Sequence, residues 1–224
     1  MSTMDYKNNI KCAVFDLDGT LLNTIKTINY YLNLALTKNG LDEINESQCM
    51  SFVGDGVHLL IHRALDSLGA DNGGNFDKVF HDYNEAYNQN PYYLTEPYPG
   101  VLELIFDLRS RGIRTAVLSN KPDFATKAAV AHFFPECFDL VLGGRENIPL
   151  KPSPDALCYI MSELSVTKEQ TLYVGDSEVD VRTALTAKIE KAIFVTYGFR
   201  SRDQLLKAGA KLLSDNPLGI KEYI

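Results

Sequence analysis

The chain has 224 residues, 45% of them hydrophobic and 23% charged, the composition of an ordinary globular protein of one or two domains. Its 29 acidic and 22 basic side chains leave a net charge of -7 with no long basic run, which argues against nucleic acid or anionic membrane as a partner. No apolar stretch approaches the roughly 18 residues of a membrane span, and MSTMDYKNNIK at the start has no signal-peptide core. Cys12, Cys49, Cys137 and Cys158 form no Cys-x-x-Cys pair, and Cys12 and Cys158 sit in apolar patterns. Buried free thiols and a cytoplasmic location are expected.

The first legible element is KCAVFDLDGTLLNT, from Lys11 to Thr24. Cys12 to Phe15 has the apolar, β-branched and aromatic character of a buried strand. It ends on Asp16 and Asp18, two carboxylates that repel unless a cation, a proton or a turn compensates. From Thr24 to about Asn90 the pattern becomes helical, through TIKTINYYLNLALTKNG, GVHLLIHRALDSLG and FDKVFHDYNEAYNQN. The stretch NPYYLTEPYPG, rich in proline, reads as a linker. Residues 24–92 are therefore expected to form a helical domain inserted into an α/β core made of residues 1–23 and 93–224.

From Val101 onward helices alternate with short β-rich runs: VLELIFDLRSRG, RTAVLSN, PDFATKAAVAHFF, FDLVLGG, SPDALCYIMSELS, TLYVGD, EVDVRTALTAK and AIFVTYG. Such alternation predicts βαβ units and a parallel, Rossmann-like sheet with helices on both faces. Ligands of such sheets bind beyond the carboxyl ends of the strands. Asp16 and Asp18, then Ser119, Asn120 and Lys121, then Asp176, Ser177 and Asp180 follow three predicted strands, and Lys151 lies in the loop PLKPSP.

Each of these has a plainer reading. Asp18-Gly19 suits a turn, Ser119 and Asn120 suit a helix cap, Ser177 with Asp180 fits a capping box, and Lys151 alone would be a solvated lysine. All of them collected on one sheet edge suit phosphoryl transfer with Mg2+ better. Mg2+ commonly takes one or two carboxylates, which Asp16 and Asp176 could supply, together with phosphate and water. A carboxylate can attack phosphorus, a second can manage the proton, and a lysine and a hydroxyl can hold the transferring group.

FDLDGTLL at Phe15–Leu22, LSNK at Leu118–Lys121, KPSP at Lys151–Pro154 and VGDSEVD at Val174–Asp180 resemble the four motifs of the haloacid dehalogenase superfamily. The resemblance implies Asp16 as nucleophile and Asp18 as general acid and base. It implies Ser119, Asn120 and Lys151 at the phosphoryl group, and Mg2+ on Asp16, the Asp18 carbonyl and Asp176. Thr20 and Asp180 are supporting residues, and the helical insert corresponds to a small cap. FVGDGVHLLIHRAL and YPGVLELIFDLRSRGI are similar to phosphoglycolate phosphatases, whereas Asn23 stands where those proteins usually carry a second acid.

The implied activity is hydrolysis of a small phosphorylated metabolite through an aspartyl-phosphate, with 2-phosphoglycolate as the best single substrate, in a monomer or homodimer. Alternatives are a sugar-phosphate mutase resembling β-phosphoglucomutase, an inorganic pyrophosphatase of the same superfamily, and a phosphate-sensing protein without turnover. In the cap, Arg63 is a candidate for recognising a substrate carboxylate. His58 and His62 lack the glutamate of a zinc-protease helix. Gly54-Asp55-Gly56 reads as a substrate-facing loop or a helix start, and the tyrosines of HDYNEAYNQNPYY as packing.

Overall fold

The structure, a computed structural model, describes residues 9–71 and 74–224. Its centre is β1 (Cys12–Phe15), whose four residues are all buried. β1 pairs in parallel with β4 (Arg114–Pro122) on one side and β6 (Thr171–Gly175) on the other. With β5 (Leu140–Gly144), β7 (Lys191–Val195) and β8 (Leu212–Ser214) they form a sheet of order β5-β4-β1-β6-β7-β8.

Successive side chains of a strand point to opposite faces, so a central strand needs apolar residues at every position. Ala13 and Phe15 enter one cluster with Leu104, Ile105 and Leu108 of α5 (Val101–Ser110). Cys12 and Val14 enter the other, with Leu157 and Ile160 of α7 (Asp155–Glu163). α6 (Asp123–Phe133) and α8 (Glu178–Thr186) supply Ala129 and Val130 to the first face and Val181 and Ala184 to the second. Cys158 breaks with expectation: it is exposed, because the buried stripe of α7 runs through Ala156, Leu157 and Ile160 and turns it to solvent. Cys12, Cys49 and Cys137 are buried.

Between β2 (Leu22–Asn23) and β3 (Glu96–Pro97) lie four helices: α1 (Ile25–Lys38), α2 (Glu46–Phe52), α3 (Val57–Ser67) and α4 (Asn75–Gln89). They have their own core, in which Ile28, Leu32 and Leu36 of α1 meet Ile61 and Leu65 of α3 and Val79 of α4. Truncating Leu32 or Ile61 to alanine would cost about 2–5 kcal/mol. The proline-rich stretch is more ordered than a linker: Leu22 and Asn23 pair antiparallel with Pro97 and Glu96. This two-stranded ribbon joins the helical unit to the sheet.

Three elements escape the sequence pattern. α2 is a seven-residue helix closed by a capping box between Asn45 and Gln48. The C-terminal α9 (Arg202–Ala208) and β8 extend the sheet beyond β7. No helix among the described residues is long and apolar enough to cross a membrane.

Candidate active site

The register of the three central strands places the acidic residues. Phe15 lies opposite Val117 of β4 and Val174 of β6, so β1 and β6 end at about one level while the last part of β4 runs on beside them. Asp16 follows β1, Ser119 and Lys121 lie in the last part of β4, and Asp176 follows β6. The Asp16 amide still donates to the Val174 carbonyl at 2.9 Å, which fixes the first carboxylate at the strand end. Gly19 then turns with φ +86°, and a β-carbon there would collide with the Asp176 carboxylate. Only glycine permits both the left-handed turn and that approach.

Lys151 is the buried centre of the charge network. Its Nζ lies 2.9 Å from Asp16 Oδ1 and 2.7 Å from Asp180 Oδ1. The Tyr173 hydroxyl also donates to Asp180 Oδ1, at 2.7 Å, while Asp180 Oδ2 accepts from the Ser177 amide and hydroxyl. Asp180 is thereby saturated, and its contact with Ser177 is the capping box of α8. Asp16 Oδ1 takes Lys151 and the Leu17 amide, but its Oδ2 accepts no hydrogen bond from the described residues. Asp176 accepts from Thr20 Oγ1 at 3.2 Å and from the Phe199 amide at 2.7 Å.

Burial pushes the Asp16 carboxyl up to about 7; Lys151 opposes this, and the Asp180 and Asp18 charges add to it. Burial, followed by Asp180 and Asp16, raises Asp176 well above the carboxylate range. Asp180 is also penalised by burial, yet its contact with Lys151 holds it below the usual value. Lys151, despite burial, is held protonated by the two carboxylates.

Four carboxylates (Asp16, Asp18, Asp176, Asp180) thus face two ammonium groups (Lys151, Lys121), a deficit that a divalent cation would cancel. Oxygens of Asp16, Asp176 and Asp180 lie within 4.8 Å of one another. With Asp180 spent on Lys151, Tyr173 and Ser177, the donors open to a metal are Asp16 and Asp176. That all-oxygen, carboxylate-poor set suits Mg2+, which retains water and takes phosphate oxygens.

The cavity above these residues, about 70 Å³, is closed on its far side by the helical unit. Asp16, Asp18, Ser119, Asn120, Lys151 and Asp176 all line it, and Thr20 and Asp180 stand behind as partners of Asp176 and Lys151. The Asn120 side chain is itself bonded within the protein. Its amide group bonds the backbone of Lys151 in both directions, at 2.9 and 2.8 Å, and also donates to the Gly54 carbonyl. It braces the lysine loop and ties it to the helical unit.

Arg63 is corrected by the structure. Its guanidinium is consumed by the Phe52 carbonyl at 2.7 Å and Asp55 at 2.6 Å, and it does not line the cavity. It shapes the loop before α3, whose Gly54 and Gly56 do line it.

Three contacts or placements go beyond the sequence reading, the first of them a pairing of a lysine already placed at this strand end. Lys121 Nζ holds both oxygens of Asp18, at 3.0 and 3.2 Å. Its position two residues beyond Ser119, on the same side of an extended strand, was the available signal. Tyr83 and Tyr87 of α4 line the cavity and so do more than pack. Arg200, after β7, is buried and donates to the carbonyls of Met50 and Val53 while pairing with Glu178. Nothing in the local pattern marks it.

Comparison with known proteins places this geometry in a family. Residues 13–194 match the haloacid dehalogenase-like hydrolases. The chain is 36% identical over 190 residues to a phosphoglycolate phosphatase of Cereibacter sphaeroides, covering 84% of this chain and 86% of that protein. It is 30% identical over 217 residues to the phosphoglycolate phosphatase of Vibrio cholerae, covering 93% and 94%. The crystal structure of a predicted phosphoglycolate phosphatase from Haemophilus somnus superposes with a TM-score of 0.90 at 26% identity, covering 96% of this chain and 98% of that one. With its four motifs gathered on one sheet edge, the chain belongs to the haloacid dehalogenase-like hydrolases.

Proposed function

We propose that this chain is a Mg2+-dependent phosphomonoesterase for a small carboxylated phosphoester, 2-phosphoglycolate in the first instance. The observation that carries the chemistry is the asymmetry of Asp16: one oxygen is anchored by Lys151 and the Leu17 amide, and the other is left to the cavity. An anchored carboxylate with one free oxygen is an oriented nucleophile. The substrate reading rests on the relatives at 30–36% identity that carry that name.

In this reading Asp16 Oδ2 attacks phosphorus and the bond from phosphorus to the ester oxygen breaks. Asp18 gives its proton to the departing oxygen and then takes one from the water that attacks the aspartyl-phosphate. The bond between phosphorus and Asp16 breaks in that second step, releasing phosphate. Lys151 and the Ser119 hydroxyl hold the equatorial oxygens, where negative charge collects. When bound by Asp16, Asp176 and the Asp18 carbonyl, Mg2+ supplies the positive charge that keeps Asp16 ionised and draws density from the phosphoryl oxygens.

Residues 24–92 act as the cap in this reading, with residues 9–23 and 93–224 of the described chain as the core. The ribbon of β2 and β3 is the hinge. Closure excludes water and brings α4 over the leaving group. The test is a hydrolysis screen over phosphorylated metabolites with and without Mg2+. Highest kcat/KM on 2-phosphoglycolate, and none without metal, is expected; turnover that requires a bisphosphate primer would instead indicate a mutase.

A further inference from the structure

We propose that Lys121 and Tyr87 form the subsite that recognises a carboxylate on the leaving group, so that Lys121 is the specificity-determining cation of the cavity. This rests on the phosphomonoesterase reading above and names how that site selects its substrate.

The Tyr87 hydroxyl is buried and has no hydrogen-bond partner among the described residues, and the tyrosine, 4% exposed, lines the cavity. A buried hydroxyl without a partner carries a desolvation cost that a bound acceptor would remove. Burial, with the nearby Asp18 charge, raises its ionisation well above the usual tyrosine range, so it is a donor that seeks an acceptor. The Lys121 ammonium stands 5.0 Å from the centre of the Tyr87 ring, and both residues line the same cavity.

The other cations of the site are committed. Lys151 is shared between Asp16 and Asp180, Arg200 is spent on Glu178 and two carbonyls, and Arg63 lies outside the cavity. Among the carboxylates of the described residues, Lys121 is held by Asp18 alone.

Position favours the same assignment. The ester oxygen must lie beside Asp18 to receive its proton, and Lys121 touches Asp18. A carboxylate two bonds from the ester oxygen, as in a phosphorylated 2-hydroxy acid, falls on the Lys121 side. Asp18 must release one oxygen from the ammonium before it can hand over a proton, and a substrate carboxylate that takes the ammonium provides that release. Val57, Leu60 and Phe124 close the remaining wall and favour a short leaving group.

The experiment compares 2-phosphoglycolate, ethyl phosphate and p-nitrophenyl phosphate on wild type, Tyr87→Phe and Lys121→Met. Ethyl phosphate needs a proton from Asp18 but has no carboxylate, and the aryl ester needs neither. The expected result is a roughly tenfold to hundredfold fall in the ratio of kcat/KM for phosphoglycolate over ethyl phosphate, in both variants, since a hydrogen bond to a charged group is lost. In Tyr87→Phe the loss should fall in KM. Tyr87→Phe removes no hydrogen bond made among the described residues, so it keeps the test decisive if Lys121→Met folds poorly. An unchanged ratio in Tyr87→Phe, with wild type active, would overturn the subsite and leave the phosphatase reading standing. Wild type inactive on all three esters would overturn that reading and the subsite with it.

Discussion

Lys151 and Asp180 are a fully buried ion pair, with Nζ 2.7 Å from Oδ1, and the same ammonium reaches Asp16 at 2.9 Å. The pair couples the α8 cap to the strand that carries the first carboxylate. Asp180 thus orients the lysine, and the lysine in turn anchors one oxygen of Asp16.

Asp180→Asn should therefore damage both stability and chemistry. Removing one partner of a buried pair typically costs about 3–5 kcal/mol, because the other charge is left uncompensated. Asp16 remains as a second carboxylate for Lys151, so the lower end of that range is expected, visible as a shifted denaturant midpoint. Lys151 would then draw closer to Asp16, and kcat should fall with KM little changed. A variant of wild-type stability would show that the pair is not the anchor described.

Arg200 couples the two halves of the molecule. It belongs to the core but bonds the Met50 and Val53 carbonyls at the end of α2. Lysine has one ammonium and cannot reproduce that fork. Arg200→Lys and Arg200→Ala should both increase amide hydrogen exchange in residues 46–56 while leaving β1 and β6 protected. Exchange that rises equally in the central strands would mean global destabilisation in place of a released latch.

The acids make metal-free stability depend on pH. Asp16 is raised to about 7 and Asp176 well above the usual range, so the folded protein holds protons that the unfolded chain has lost. Their contribution is complete below the unfolded value of about 3.9 and disappears as pH rises through the folded one. Asp180, shifted down, acts in the opposite sense, but its contribution is lost only on acidification below the ordinary carboxylate range. Metal-free protein should melt lower at about pH 8 than at about pH 6, and Mg2+ should raise the melting temperature more at the higher pH, where protons no longer compete. Equal Mg2+ shifts at the two pH values would contradict this electrostatic picture.

The core of the fold was legible because its strands are buried on both faces and read as unbroken apolar runs, and because each is followed by a polar cluster. Asp16, Asp18, Ser119, Lys151 and Asp176 converge as expected, since strand ends on one edge need no long-range information. The cap was less legible. Arg63 looked available because sequence shows charge but not whether it is already spent, here on Phe52 and Asp55. Tyr87 looked like packing because its ring does pack, against Tyr31 and Tyr83, while the lack of a partner for its hydroxyl among the described residues shows only in the assembled structure. Arg200 acts across some 150 residues of sequence, beyond the reach of any local pattern.

The central claim is that Asp16 becomes phosphorylated during turnover. The most direct measurement is rapid acid quenching of the enzyme with substrate and Mg2+, followed by mass spectrometry of the peptide that contains Asp16. The wild type should carry a phosphoryl group on Asp16 within the first turnover. Asp16→Asn should carry none and should be inactive while melting as a folded protein. Near-normal turnover by Asp16→Asn, or phosphate on a different residue, would contradict the mechanism.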